Sequence, residues 1–171
     1  MKILLLLAVF LLPTIAQSQE KIEDDTMGIL NRYLLQKECG GGPKKEHLTA
    51  YPDYKGYSIG CGTPSYKGEK ITELEAIHRY YVYTDKRVQL VKKHFPDISG
   101  NKLIALVSLA SNNGTCYYSF VKGTLSQYLW REKCDNVRVG GELKELPGLH
   151  TRRNEEADMY FLNKLPTWLE E

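Results

Sequence analysis

The stretch MGILNRYLLQKECGGGPKKEHLTAYPDYKGYSIGCGT, residues 27–63, decides how the chain is read. In its first part Ile29, Leu30, Tyr33, Leu34 and Leu35 recur at helical spacing, which predicts an amphipathic helix from Met27 to about Glu38. Gly40-Gly41-Gly42-Pro43 stops it, since glycine takes the left-handed turn after a last helical residue and proline cannot continue the ladder. From Leu48 the pattern shortens to β-prone pieces, Leu48-Thr49-Ala50-Tyr51 and Tyr57-Ser58-Ile59, with Pro52-Asp53-Tyr54-Lys55-Gly56 as the turn between them. The expected result is a helix followed by a small hairpin or three-stranded ribbon.

Helical signals dominate downstream. Thr72-Glu73-Leu74-Glu75 reads as a capping box opening a long helix with Leu74, Ile77, Tyr81, Val88 and Val91 inward and Pro96 beyond its end. Leu103, Ile104, Leu106, Val107, Leu109 and Ala110 are apolar on nearly all sides, the mark of a helix at the centre of a core, and Asn112-Asn113-Gly114 ends it. Thr124-Leu125-Ser126-Gln127 reads as a second capping box, Val137 to Gly148 as a loop, and Thr151 to Asn163 as a last helix. There is no internal repeat. The expected fold class is α+β: a mainly helical domain with a small β lobe.

Upstream, Lys2, a mainly apolar run from Ile3 to Ile15 and the small-residue pattern Ala16-Gln17-Ser18 read as a secretory signal peptide over residues 1–18. The unbroken apolar core, Ile3 to Leu12, is shorter than the roughly 20 residues of a spanning helix. An uncleaved N-terminal anchor is the alternative reading, and either one exports the working domain, residues 19–171, to the periplasm or beyond. After cleavage no stable membrane insertion is expected.

With 23 basic against 21 acidic residues the chain has no strong field to steer it to nucleic acid. Four cysteines, Cys39, Cys61, Cys116 and Cys134, in an exported chain predict disulfides, with three connectivities open. No C-x-x-C occurs, and His47, His78, His94 and His150 have no H-x-x-x-H spacing, so neither a zinc site nor any other cofactor is expected. A monomer is the expected state.

Two acids stand out in the opening stretch. Cleaving a glycosidic bond takes one protonated carboxyl to protonate the leaving oxygen and one ionised carboxyl to activate water or support positive charge. Glu38 falls at the mouth of the first helix and Asp53 in the hairpin that follows it. A carboxyl at a helix end under a β lobe is shielded from water, which favours the protonated form. By residue type alone both acids are equally a solvated helix end and a turn former.

The surrounding residues resemble the phage-type lysozymes, glycoside hydrolase family 24. The matching pieces are Lys37-Glu38 closing a helix, Ala50-Tyr51-Pro52-Asp53, Gly56 to Thr63, and Ala105 to Leu109 followed by Asn112-Asn113-Gly114. Leu146-Pro147-Gly148-Leu149 and then Arg152-Arg153-Asn154-Glu155 complete the series, in family order across nearly the whole domain. The resemblance implies a lysozyme-like fold with the β lobe over an active-site cleft. It also implies hydrolysis of the β-1,4 bond between N-acetylmuramic acid and N-acetylglucosamine in peptidoglycan, with inversion at the anomeric carbon.

By position Glu38 becomes the general acid, Asp53 the water-holding carboxylate and Ser58 the hydroxyl beside it, where the family commonly has threonine. The interval between Glu38 and Asp53 is longer than usual in the family, with Gly40 to Pro43 reading as an insertion, so Glu46 is a rival for the acid. Arg152 and Arg153 are read either as solvated charge on the last helix or as supplying a guanidinium that orients the acid. Cys39 stands where the family commonly has glycine, and the family's architecture implies a pairing of Cys39 with Cys61, with Cys116 and Cys134 as the pair that remains. Alternatives are a wall-binding module without turnover and a hydrolase of chitin-like chains.

Overall fold

A computed structural model describes residues 25–53, 56–139, 142–145 and 147–170. The signal peptide expected over residues 1–18, Tyr54-Lys55 of the hairpin turn, Gly140-Gly141 and Leu146 lie outside the described residues. Helix α1 covers residues 25–39 and buries Leu30, Tyr33 and Leu34. Gly40, at φ 66°, donates its N–H to the Gln36 carbonyl at 3.0 Å, the left-handed cap expected of the glycine run.

A 3-10 turn at Lys45–Leu48 follows, then three antiparallel strands, β1 (Tyr51–Asp53), β2 (Gly56–Ile59) and β3 (Thr63–Ser65), in the order β1-β2-β3. The expectation of β structure from Leu48 starts too early. Leu48 ends the 3-10 turn, and Thr49 makes an isolated bridge to Lys70 instead of pairing within the ribbon. Tyr51 lies opposite Ser58, and Asp53 opposite Gly56. Side chains alternate along a strand, so Tyr51 and Asp53 share one face and Ser58 lies diagonally across from Asp53 on that same face.

The ribbon rests on α2 (Glu73–His94), whose N-cap Thr72 accepts from the Glu75 N–H at 3.2 Å. The reciprocal half of the expected capping box is not made, because the Glu75 carboxylate is taken by Arg79 at 2.7 Å. The buried stripe of α2 is Ala76, Tyr80, Thr84, Val88 and Val91. Val88 and Val91 are inward as expected, but the first half of the stripe is rotated from the expected face, leaving Leu74 78% exposed and Tyr81 at the surface. The cause is the ribbon: Gly60, at φ +61°, lies so close to α2 that an added Cβ would sit 2.8 Å from the Ala76 Cβ. Only a small residue fits at 76 beneath that contact. Gly60→Ala is therefore expected to cost about 2–4 kcal/mol, from the left-handed backbone and the overpacked contact together, read as a lower denaturation midpoint in urea.

Helix α3 (Gly100–Asn112) is the central element, buried from Leu103 through Ala110 as its sequence predicts, and it packs against α6 (Pro147–Phe161), α2 and α4 (Gly114–Val121). Helix α4 was not expected from the sequence. It starts directly after the break because Asn113 caps it, accepting from the Cys116 N–H at 3.1 Å. Helix α5 (Gln127–Lys133) is capped by Ser126, not Thr124, whose hydroxyl instead donates to the Ser119 carbonyl. The segment read as a loop contains an antiparallel pair, β4 (Asn136–Val139) and β5 (Glu142–Glu145). Helix α6 then starts at Pro147, a residue suited to the first helical position, earlier than the expected Thr151.

Candidate active site

Disulfides join Cys39 to Cys61 and Cys116 to Cys134, with Cα separations of 5.2 and 5.9 Å. The first ties the last residue of α1 to the turn between β2 and β3, and the second ties α4 to the end of α5. By the chain-entropy account, loops of this size each contribute on the order of 3 kcal/mol. Cys39 adjoins Glu38, so the covalent link fixes the ribbon beside that carboxylate.

Glu38 lines a small pocket of about 70 Å³ together with Cys61 and Gly62 of the β2–β3 turn, Tyr80 and Tyr83 of α2, and Ser111 of α3. Its side chain is 29% exposed, and its Oε1 accepts from Arg152 Nη1 at 2.7 Å. Arg152 itself is buried, so its guanidinium reaches the acid from inside the domain. Burial opposes its charge, but Glu38 and Glu156 outweigh that and hold it above the ordinary arginine value. Burial pushes the Tyr80 phenol well above the usual tyrosine range, and the Glu38 charge adds to this. Tyr80 therefore faces Glu38 as a neutral group.

Asp53 sits on the exposed part of β1, and the buried Ser58 hydroxyl donates to its Oδ2 at 2.6 Å. Tyr51 connects the two acids. Its phenol is raised by partial burial and then by the charges of both Asp53 and Glu38, so both carboxylates lie within electrostatic reach of one side chain. An acid anchored by a cation, and a second carboxylate with its own hydroxyl donor within electrostatic reach of the same tyrosine, are the parts needed for acid–base work on a bound polymer.

Of the other sequence candidates, Glu46 lies exposed on the 3-10 turn and is not among the residues around the Glu38 pocket. Arg152 and Arg153 are both buried, which excludes the solvated-helix reading, and only Arg152 contacts Glu38. Arg153 donates through Nη2 to Glu156 Oε1 at 2.9 Å and to Asn112 Oδ1 at 3.1 Å.

Sequence reasoning missed Ser108 and Glu156. Ser108 donates to Glu156 Oε1 at 2.5 Å and accepts from Arg152 Nε at 3.0 Å, while Trp130 Nε1 donates to Glu156 Oε2 at 3.0 Å. The available signals were a serine inside the apolar run of Leu103 to Ala110 and a glutamate three and four residues after paired arginines. Among the described residues no cluster of histidine, cysteine or acidic side chains is placed to hold a metal ion, and no helix is long and apolar enough to cross a membrane.

The fold is lysozyme-like. It is similar to the endolysin from Escherichia coli O157:H7 phage FAHEc1, with a TM-score of 0.57 and 26% identity over 81% of this chain and 94% of that one. It is also similar to the muramidase domain of SpmX from Asticaccaulis excentricus, with a TM-score of 0.56 and 18% identity over 81% of this chain and 96% of that one. No protein-family model matches the sequence, and no curated protein matches it.

Proposed function

We propose that the chain is an exported muramidase of the phage-lysozyme type, glycoside hydrolase family 24, cleaving the β-1,4 bond between N-acetylmuramic acid and N-acetylglucosamine in peptidoglycan. The observation that carries this reading is the Glu38–Arg152 pair beside a ribbon that presents Asp53 with Ser58 at 2.6 Å. The likeness to an endolysin supports it, as do the residues that resemble the phage-type lysozymes. Two disulfides fit the oxidising compartment to which a signal peptide over residues 1–18 would deliver residues 19–171.

In this reading Glu38 gives its proton to the leaving glycosidic oxygen as the C–O bond breaks. Asp53 takes a proton from a water that attacks the anomeric carbon from the opposite face. Arg152 holds the Glu38 carboxyl in place for that transfer and again when Glu38 is left ionised. Ser58 uses its hydrogen to fix the Asp53 carboxylate, which is exposed enough to keep a water beside it. A direct attack by Asp53 would need the two carboxyls about 5–5.5 Å apart, whereas an intervening water needs roughly 6.5–9.5 Å.

The test is to incubate the mature domain with purified peptidoglycan and follow turbidity and reducing ends, with an N-acetylglucosamine polymer in parallel. Loss of turbidity with new reducing ends on peptidoglycan is expected. Binding without release of reducing ends would sink the enzymatic reading, and cleavage confined to the N-acetylglucosamine polymer would sink the substrate. Proton NMR of the first-formed reducing sugar is expected to show the α-anomer, and a β-anomer would reassign Asp53 from holding water to attacking carbon.

A further inference from the structure

Behind the acid lies a buried cluster that the proposed chemistry does not use directly. Glu156 has no exposed surface, yet its Oε1 faces three donors: Ser108 Oγ at 2.5 Å, Arg153 Nη2 at 2.9 Å and Arg152 Nε at 3.3 Å. Its Oε2 accepts from Trp130 Nε1 at 3.0 Å. Arg152 thus lies between two carboxylates, with Nη1 on Glu38 and Nε on Glu156.

Arg153 is stranger. It too is fully buried, and its Nε and Nη1 have no hydrogen-bond partner among the described residues. Burying unpartnered N–H groups is costly, so what Arg153 adds here is chiefly positive charge. Burial holds it below the ordinary arginine value, opposed by Glu156.

Among the described residues, the charged and titratable groups that contact Glu38 or share its field are Arg152 and Arg153 of α6, Tyr80 and Tyr83 of α2 and Tyr51 of β1, with Glu156 and Tyr33 behind the two arginines and Asp53 beyond Tyr51. Burial raises the Tyr33 phenol well above its usual range, as it does that of Tyr80, so both are neutral while the enzyme works. With Glu38 ionised, two carboxylates balance two guanidiniums inside the domain. Once Glu38 gains the proton it must donate, Glu156 is, among the described residues, the ionised carboxylate left in contact with Arg152 and Arg153.

We propose that Glu156 is a positioning residue for the reaction: the buried counterion that offsets Arg152 and Arg153, allowing Glu38 to keep its proton up to working pH while Arg152 still orients it. This rests on the acid role given to Glu38. Removing the Glu156 charge leaves two buried cations behind Glu38, one of them in contact with it, and favours loss of its proton. The alkaline fall of activity should then move to lower pH. Removing the Arg153 charge should move that fall to higher pH, because a buried cation is lost while the Arg152–Glu38 contact is left in place.

The experiment uses the mature domain with carboxyl carbons of glutamate labelled with carbon-13, in the parent chain and in Glu156→Gln, Glu156→Asp and Arg153→Met. The Glu38 carboxyl is titrated by NMR, and the pH profile of peptidoglycan lysis is measured beside it. In Glu156→Gln the titration midpoint and the alkaline limb are both expected about one pH unit lower, with kcat reduced at neutral pH and KM little changed. Glu156→Asp keeps the charge and should return both toward the parent value, even if it unfolds at lower temperature. Arg153→Met should shift both upward.

A purely structural role for Glu156 would lower stability and leave the midpoint where it was, and that result overturns the proposal. So does a downward shift in Arg153→Met, which alone decides the matter if Glu156→Gln does not fold. Failure of the parent chain to lyse peptidoglycan would instead sink the acid role of Glu38, while the NMR titration still reports on the cluster.

Discussion

Glu38→Gln is expected to lower peptidoglycan lysis by about three to four orders of magnitude while the thermal transition stays close to that of the parent chain. The amide has no proton to give to the leaving oxygen, and proton transfer from a positioned acid contributes on this scale. The fold should survive because the glutamine oxygen can still accept from Arg152 Nη1, 2.7 Å away in the parent structure, and because Arg152 keeps Ser108 and Glu156 on its other side. Initial rates of reducing-end release on purified peptidoglycan, with calorimetry of both chains, give the comparison. Glu46→Gln is the control, since Glu46 is exposed on the 3-10 turn away from the pocket. Full activity in Glu38→Gln together with loss in Glu46→Gln would transfer the acid role to Glu46.

Asp53→Asn should lower turnover by about two to three orders of magnitude, because an amide cannot take the proton of the attacking water. Binding of the glycan should change little, so the loss should fall on kcat. Ser58→Ala tests the same step more gently. It removes the hydroxyl that donates to Asp53 Oδ2 at 2.6 Å and should cost about tenfold, the worth of one hydrogen bond that aligns the carboxylate. In the double variant the Ser58 effect should vanish, since the hydroxyl then has no carboxylate to orient. Equal and additive losses would mean that Ser58 acts elsewhere in the site.

Much of this site is legible in one stretch of chain because its positions are set by local rules. The glycine run after Glu38 had to end the helix, and Gly40 does so in the left-handed conformation. Two-residue periodicity in the ribbon put Tyr51 and Asp53 on one face, with Ser58 opposite Tyr51 and diagonal to Asp53. The eight consecutive buried residues of α3, Leu103 to Ala110, follow from an apolar surface all round the helix. Capping and hairpins were less secure where two local signals competed. Ser126 took the cap offered to Thr124, and the segment from Asn136 to Glu145 formed a strand pair although its glycines and polar residues read as loop.

What the sequence determined by itself is therefore the succession of elements, α4 and the β4–β5 pair excepted, and the residues they offer to the site: an acid at a helix end, an acid and a hydroxyl on a ribbon, and two arginines on a last helix. Tertiary structure alone decided which of these meet. Whether Arg152 or Arg153 reaches Glu38 depends on the rotation of α6 against α3, and that rotation is fixed by Ser108, Trp130 and both arginines converging on Glu156. The inward face of the first half of α2 was likewise set by the approach of Gly60 to Ala76 and not by its apolar pattern, which placed Val88 and Val91 correctly further along. Both outcomes have one physical reason: local periodicity specifies a side chain's direction relative to its own helix, while the pairing of buried charges and the exclusion of overlap act between elements far apart in sequence.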